Sequence, residues 1–238
     1  MRESRTIATV LSILLAGIAG RLPAQTEAQS GSGKPLVEIL LRQPLPADSE
    51  PKITVLSLRI SPGLVAGAHT HVGPVFAYIL QGEIENQVEP DPPKVYKPGE
   101  FFYEAPMHVH KLLRNLSQTE PANLIVFQAG NTGRAAPAIK TLLQEPLLST
   151  ANQELTLYRV TLPPEGLTET QAQSNPGALY VLEGNLETPG STETYHAGEI
   201  LVIPAKRAGF TLKNASSSEP AKVLLYQVSE KQEPTVAR

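Results

Sequence analysis

Cysteine and tryptophan are both absent from the 238 residues, and methionine occurs twice. Without thiols the fold cannot be stapled by disulfides, and any metal site must be built from imidazole and carboxylate. Stability then rests on a packed core, which about 200 residues are enough to bury. Basic residues are also in the minority, 20 against 23 acidic ones, and no basic patch marks a nucleic-acid partner. Long apolar runs are scarce too. The run from Ile7 to Gly20 is 14 residues long, short of the roughly 20 that span a membrane.

That run has Arg2 and Arg5 before it and Pro23 and Ala24 after it, the three-part layout of a secretory signal. The expectation is a signal peptide over 1–24, export to the periplasm or beyond, and no stable membrane insertion after cleavage. Removing it takes Arg2, Arg5 and Arg21 against Glu3, leaving 17 basic and 22 acidic residues and a net charge of −5. Residues 25–35, "QTEAQSGSGKP", read as a flexible leader.

What the chain does have is a repeat. "LLRQPLPADSEPKITVLSLRISPG" (40–63) returns as "LLQEPLLSTANQELTLYRVTLPPEG" (142–166), and "HTHVGPVFAYILQGEIE" (69–85) as "QAQSNPGALYVLEGNLE" (171–187). "YKPGEFFYEAPMHVHKLLRN" (96–115) returns as "YHAGEILVIPAKRAGFTLKN" (195–214), and "ANLIVFQ" (122–128) as "AKVLLYQ" (221–227). The offset drifts only from 102 to 99 residues, and Pro44/Pro146, Gly82/Gly184, Gly99/Gly198 and Asn115/Asn214 keep their order. A duplicated domain accounts for this, with halves over 36–131 and 137–230, a seam at "NTGRAAP" and a tail over 231–238. Within each half, short runs rich in β-branched and aromatic residues alternate with Pro, Gly and Asn. That pattern predicts an all-β chain of antiparallel sandwiches or barrels. The best helical candidate, "AAPAIKTLLQ" (135–144), ends in what the repeat marks as the second half's entry strand.

Four of the five histidines fall in two His-x-His pairs, His69/His71 and His108/His110. In a strand, positions i and i+2 share a face, with Cα atoms about 6.6 Å apart. A single such pair is as often a surface or hydrogen-bonded core feature. Two in one half, with only His196 elsewhere, point to three or four imidazoles aimed at one cation. Their counterparts in the second half are Gln171, Gln173, Arg207 and Gly209, so the fold does not need them. His196 reads as a loop residue. Glu104 shares strand parity with the second pair and is a possible carboxylate partner, unless Pro106 breaks the alternation. Tyr78, Phe101 and Tyr103 could line a pocket or serve as core. Arg114 could meet a substrate carboxylate or lie on the surface.

These residues resemble the motifs of the cupin superfamily, in the two-domain form called a bicupin. Gly63, His69, His71 and Gly82 match the first motif, and Gly99, Pro106, His110 and Asn115 the second; together they cover about residues 36–230. The resemblance implies two tandem antiparallel jelly-roll barrels, the second lacking the ligand residues. Two departures stand out. Where the family has a glutamate this chain has Val75, or Phe76 in the other register. Counting back from Asn115 puts Lys111 at the second motif's histidine, while counting from Pro106 puts His110 one residue early, with Met107 or His108 at the turn glycine. His110 is favoured as the third ligand beside His69 and His71, and His108 is its rival or a fourth.

The expected cofactor is one divalent transition metal: Fe, Zn, Mn, Ni or Cu. Two functions remain open. One is a metal-dependent, dioxygenase-like oxidoreductase acting on a small organic molecule; the other is a non-catalytic module that binds metal or a small ligand. The second half, packed on the first as a covalent pseudo-dimer, suggests a monomer or weak homodimer. A metal-free pocket around Gln171 and Gln173 would suit a sugar or an amide.

Overall fold

The computed structural model describes residues 34–47, 49–130, 139–170, 173–206 and 210–231. The signal over 1–24, the seam, Gln171, Arg207, Gly209 and most of the leader and tail lie outside them. The first half runs β1 (Leu36–Pro44), β2 (Lys52–Ile60), β3 (Val65–Ala66), β4 (His69–Thr70), β5 (Val75–Gln81), β6 (Ile84–Val88), β7 (Lys94–Tyr96), β8 (Phe101–Glu104), β9 (Val109–Asn115) and β10 (Ala122–Ala129). The second half runs β11 (Ile139–Pro146), β12 (Gln153–Leu162), β13 (Leu167–Thr170), β14 (Gly177–Glu183), β15 (Asn185–Glu187), β16 (Thr194–His196), β17 (Ile200–Ile203), β18 (Phe210–Asn214) and β19 (Ala221–Glu230). No helix occurs among the described residues. The helical candidate at 135–144 is, where described, the strand β11.

Every ladder is antiparallel. Each half contributes two sheets that face one another, as in a jelly roll. In the first half these are β11-β2-β10-β5-β8 and β3-β9-β6-β7, with β4 added on β9; in the second they are β1-β12-β19-β14-β17 and β13-β18-β15-β16. The entry strands are exchanged. β1 pairs with β12, and β11 pairs with β2, so each half begins by completing the other's sheet. Both exchanged strands carry a register shift at the same place, Ile39/Leu41 and Thr141/Leu143.

Strand alternation sorts the side chains into three cores. Val75, Ala77 and Ile79 of β5 point into the first barrel, against Leu56, Ile84, Phe102, Leu113 and Leu124. Leu179 and Val181 of β14 do the same in the second barrel. The opposite faces of these strands, Phe76 and Tyr78 with Ala178 and Tyr180, meet in a third core between the halves around Tyr226 and Phe127. The sheets at the junction are therefore buried on both faces, which explains apolar runs such as "VFAYIL" with no polar alternation.

Turn chemistry is duplicated with the strands. Gly82 and Gly184 sit at φ +84° and +80°, and a Cβ there would meet the Ala122 or Ala221 Cβ at 2.8 or 2.9 Å. Asn115 donates to the carbonyls of Ile60, Ser61 and Glu120 and accepts from the Ser117 N–H. Asn214 repeats the pattern with Leu162, Pro163, Glu219 and Ser216. Both are fully buried. These bonds make Asn115 and Asn214 turn fasteners.

Candidate metal centre

The exposed strand β4 and the loop after it bring His69 and His71 to the rim of the first barrel. There β4 pairs with β9, and His69 lies directly opposite His110. Glu104 ends β8 on its barrel-facing side, where it shares alternation with Phe102, while Phe101 and Tyr103 turn to the junction core. The four side chains gather. One donor atom from each of His69, His71, Glu104 and His110 lies within 4.8 Å of the other three. Among the described residues no other set of three or more such groups meets this way.

His69 Nε2 and His71 Nε2 are 3.1 Å apart. Glu104 Oε2 lies 2.9 Å from His71 Nε2 and 3.1 Å from His110 Nδ1. Glu104 and His110 are buried, 5% and 2% exposed, whereas His69 is open to solvent and His71 half-buried. The two approaches to Glu104 lack hydrogen-bond direction, leaving Glu104 Oε2 and His110 Nδ1 buried without a directed partner. An orphaned buried oxygen and nitrogen aimed at a shared point are costly unless something binds there. A cation satisfies them, and imidazole with carboxylate is a suitable donor set for a divalent transition metal. The residues fit the ion.

Burial would raise the Glu104 carboxyl, but the nearby His110 and His71 rings outweigh it and hold the group at about 2. Glu104 is thus a carboxylate at any physiological pH. The site supplies one negative charge, and a bound divalent ion would retain only part of its own.

His108 stays outside the group. The expectation that it shares a face with His110 fails because Met107 adopts a left-handed turn, φ +62°, just before β9 begins. His108 sits in that turn, with its Nδ1 3.1 Å from the Pro106 carbonyl. Met107 occupies the turn's glycine position, as Lys206 at φ +59° does in the second half. Both turns are tied to the ligand loop alike: Met107 N–H donates to the His71 carbonyl, and Lys206 N–H to that of Gln173.

A bulge resolves the competing registers of the second motif. Opposite β6, Gln87 pairs with Leu112 but Val88 pairs with His110, so Lys111 is the extra residue. It points out and pairs with Glu89 at 3.1 Å, while His110 and Leu113 both face in. The same shift lets His110 count from Pro106 and Asn115 keep its place.

Two residues that sequence reasoning passed over touch His110. The Phe102 ring centre is 6.2 Å from that of His110. Asn86 Oδ1 is 2.5 Å from His110 Nε2. Inward parity on β6 was the available signal for Asn86. Of the other candidates, Tyr78, Phe101 and Tyr103 pack in the junction core, Arg114 pairs with Glu85, and His196 pairs with Asn185. In the second barrel Ile203 stands across the ladder from Gly177, just as Glu104 stands across from Val75. The Gln173 side-chain amide is buried there, without a hydrogen-bond partner among the described residues.

Residues 56–127 match the family model described as Cupin domain, a span that holds all four donors and Asn86. Among solved structures, the chain resembles oxalate decarboxylase from Bacillus subtilis, with 12% identity, a TM-score of 0.53, and coverage of 74% of this chain and 68% of that one. It also resembles a salicylate 1,2-dioxygenase from Pseudaminobacter salicylatoxidans, with 13% identity, a TM-score of 0.55, and coverage of 74% and 71%. YhaK from Escherichia coli is similar at 16% identity and a TM-score of 0.51, covering 79% and 93%. No curated protein matches the sequence. At these identities the likeness is one of fold.

Proposed function

We propose, for a chain that is a two-barrel protein of the cupin superfamily, that the first barrel is a metal-dependent, dioxygenase-like oxidoreductase for a small organic molecule. The observation that carries this reading is the uneven exposure of one donor group. Glu104 and His110 are sealed in the barrel, and His69 stands at the solvent edge. A structural metal site is closed by its ligands, whereas a site that works on a ligand keeps one side accessible.

Three of the donor separations, 2.9, 3.1 and 3.1 Å, are short enough for one ion to bridge, and all four donors lie within 4.8 Å of one another. An ion that takes six ligands would keep two positions for substrate and dioxygen. When bound, a redox-active ion such as Fe(II) or Mn(II) would supply electron transfer to dioxygen and polarise a substrate oxygen. The chain's own part is to hold the donors in place, to neutralise charge through Glu104, and to exclude water on the Phe102 side. The fold likeness to a protein named as a salicylate dioxygenase supports the reaction class and leaves the substrate open.

The N-terminal layout of arginines, apolar run and Pro23-Ala24 supports export, so this chemistry would take place outside the cytoplasm. The rival reading is a non-catalytic module that binds metal or a small ligand. Dioxygen consumption separates the two. Fe(II)-loaded protein is offered a panel of small phenols, enols and hydroxy acids, and uptake should require both a substrate and His69. Tight metal binding with no turnover across the panel would favour the binding module.

A further inference from the structure

We infer that Asn86 is a positioning residue that locks the His110 ring so that Nδ1 faces the metal. The inference rests on the metal reading above. It concerns which nitrogen of each histidine is the donor and what fixes that choice.

His110 Nε2 has two oxygens around it, Asn86 Oδ1 at 2.5 Å and the Leu112 carbonyl at 3.1 Å. A backbone carbonyl only accepts, so Nε2 must carry the proton whichever way the Asn86 amide is turned. A neutral imidazole then has its one free lone pair on Nδ1. That atom lies 3.1 Å from Glu104 Oε2, is buried, and has no directed partner.

His69, directly across the ladder, is set the opposite way. Its Nδ1 donates to the Gly67 carbonyl at 2.9 Å, which frees Nε2 toward His71 Nε2 at 3.1 Å. The two facing histidines would thus offer different nitrogens. Reach explains the pairing. Nδ1 lies close to the backbone and suits His110, held deep on β9, while the farther Nε2 suits His69 at the rim.

Asn86 is 4% exposed on the inner face of β6. Its counterpart in the second half, two residues after Leu186, is Thr188. Asn115 survives there as Asn214 with all its bonds, so the fold's own asparagine is kept while Asn86 is lost together with the ligands. That pattern places Asn86 with the site. A partner on the remote ring nitrogen also makes the metal-facing nitrogen a better donor.

Long-range proton–nitrogen correlation spectra of the 15N-labelled full-length protein read both tautomers. With zinc bound, His110 should show a protonated Nε2 and a metal-shifted Nδ1, and His69 the reverse. The metal-free protein should keep the proton on His110 Nε2, with or without a second proton on Nδ1 beside Glu104, so the inference is tested even if zinc does not bind. In Asn86→Leu, zinc affinity should fall roughly 10- to 100-fold, and the His110 Nε2 proton should exchange faster or the metal should move to Nε2. Should that variant fail to fold, Asn86→Asp keeps the acceptor and should retain the tautomer with a further-shifted Nε2 proton. A His110 protonated on Nδ1 alone, with Nε2 bare, or an Asn86→Leu protein with unchanged zinc affinity and spectrum, would overturn the inference. If wild type and His69→Ala are alike in taking up no metal while the tautomer stands, it is the metal reading that fails.

Discussion

Val75 and Glu104 face one another across the β5–β8 ladder, on the side that looks into the first barrel. The cupin motif places its glutamate at the Val75 position, and here the carboxylate comes from the directly opposed residue of the next strand. Opposed side chains in a ladder have Cβ atoms about 5 Å apart, so a carboxylate can change strands and still reach the same point.

That relationship predicts a rescue. Glu104→Val should weaken metal binding roughly 100-fold or more, beyond the loss expected for a group that only supports a ligand. Adding Val75→Glu to that variant should recover most of the affinity. Titration of the three proteins with Mn(II) or Zn(II) measures both steps; a double variant no better than Glu104→Val would show that the two positions are not interchangeable.

Exchange of the entry strands predicts how a cut chain behaves. Cleavage within residues 131–138 should leave two fragments that stay together, because β11 belongs to the first half's sheet and β1 to the second's. Expressed alone, either fragment should be aggregation-prone, with a junction face that includes Phe76, Tyr78, Tyr180 and Tyr226 laid open. Size-exclusion chromatography of the nicked and the co-expressed halves decides this; separation of the fragments under native conditions would refute the exchange.

One bond across the exchanged strand has a pH signature. Arg159 Nε and Nη2 bind both Glu38 oxygens, at 2.7 and 2.9 Å. The Arg159 hydrogen bond holds the Glu38 carboxyl below its ordinary value, against the opposing effect of burial. A depressed folded pKa contributes stability above the unfolded value and loses it as pH falls through the folded one. Both side chains are about a quarter exposed, so solvent screening limits the pair to about 1 kcal/mol. Arg159→Gln should therefore unfold more easily near neutrality, and the gap should close in acid, as denaturant midpoints across pH would show. An equal gap at every pH would rule out the ion pair as its source.

Much of this architecture was legible because the chain states it twice. Strand order, the glycine turns and the Asn115/Asn214 fasteners recur in both halves, and each recurrence separates a fold requirement from chance. The His69/His71 pair was legible for the opposite reason: it is missing from the copy. Two features were hidden and one was half legible. Glu104 could be named as a possible partner but not fixed, because strand parity breaks at the Pro106–Met107 turn. The choice between Lys111 and His110 depended on a bulge, which leaves no compositional mark. The strand exchange was invisible because β1 and β11 have the same pattern and would complete either sheet equally well.

The Met107 turn yields a stability prediction. A non-glycine residue at φ +62° is strained by roughly 1 kcal/mol, partly offset by the greater unfolded-state freedom of glycine. Met107→Gly should stabilise the protein by about 0.5 kcal/mol and leave metal affinity within twofold or so. Thermal melts and metal titration of that variant check both; a loss of stability would mean that the Met107 side chain makes up for the strain.

Metal analysis bears most directly on the central claim. Untagged protein dialysed against Mn(II), Fe(II) or Zn(II) should retain one ion per chain, and His71→Ala or Glu104→Ala should abolish it. Gln173→Ala, the matching change in the second barrel, should retain the ion. Wild-type protein that keeps no ion, or a His71→Ala variant that keeps as much as wild type, would contradict the account.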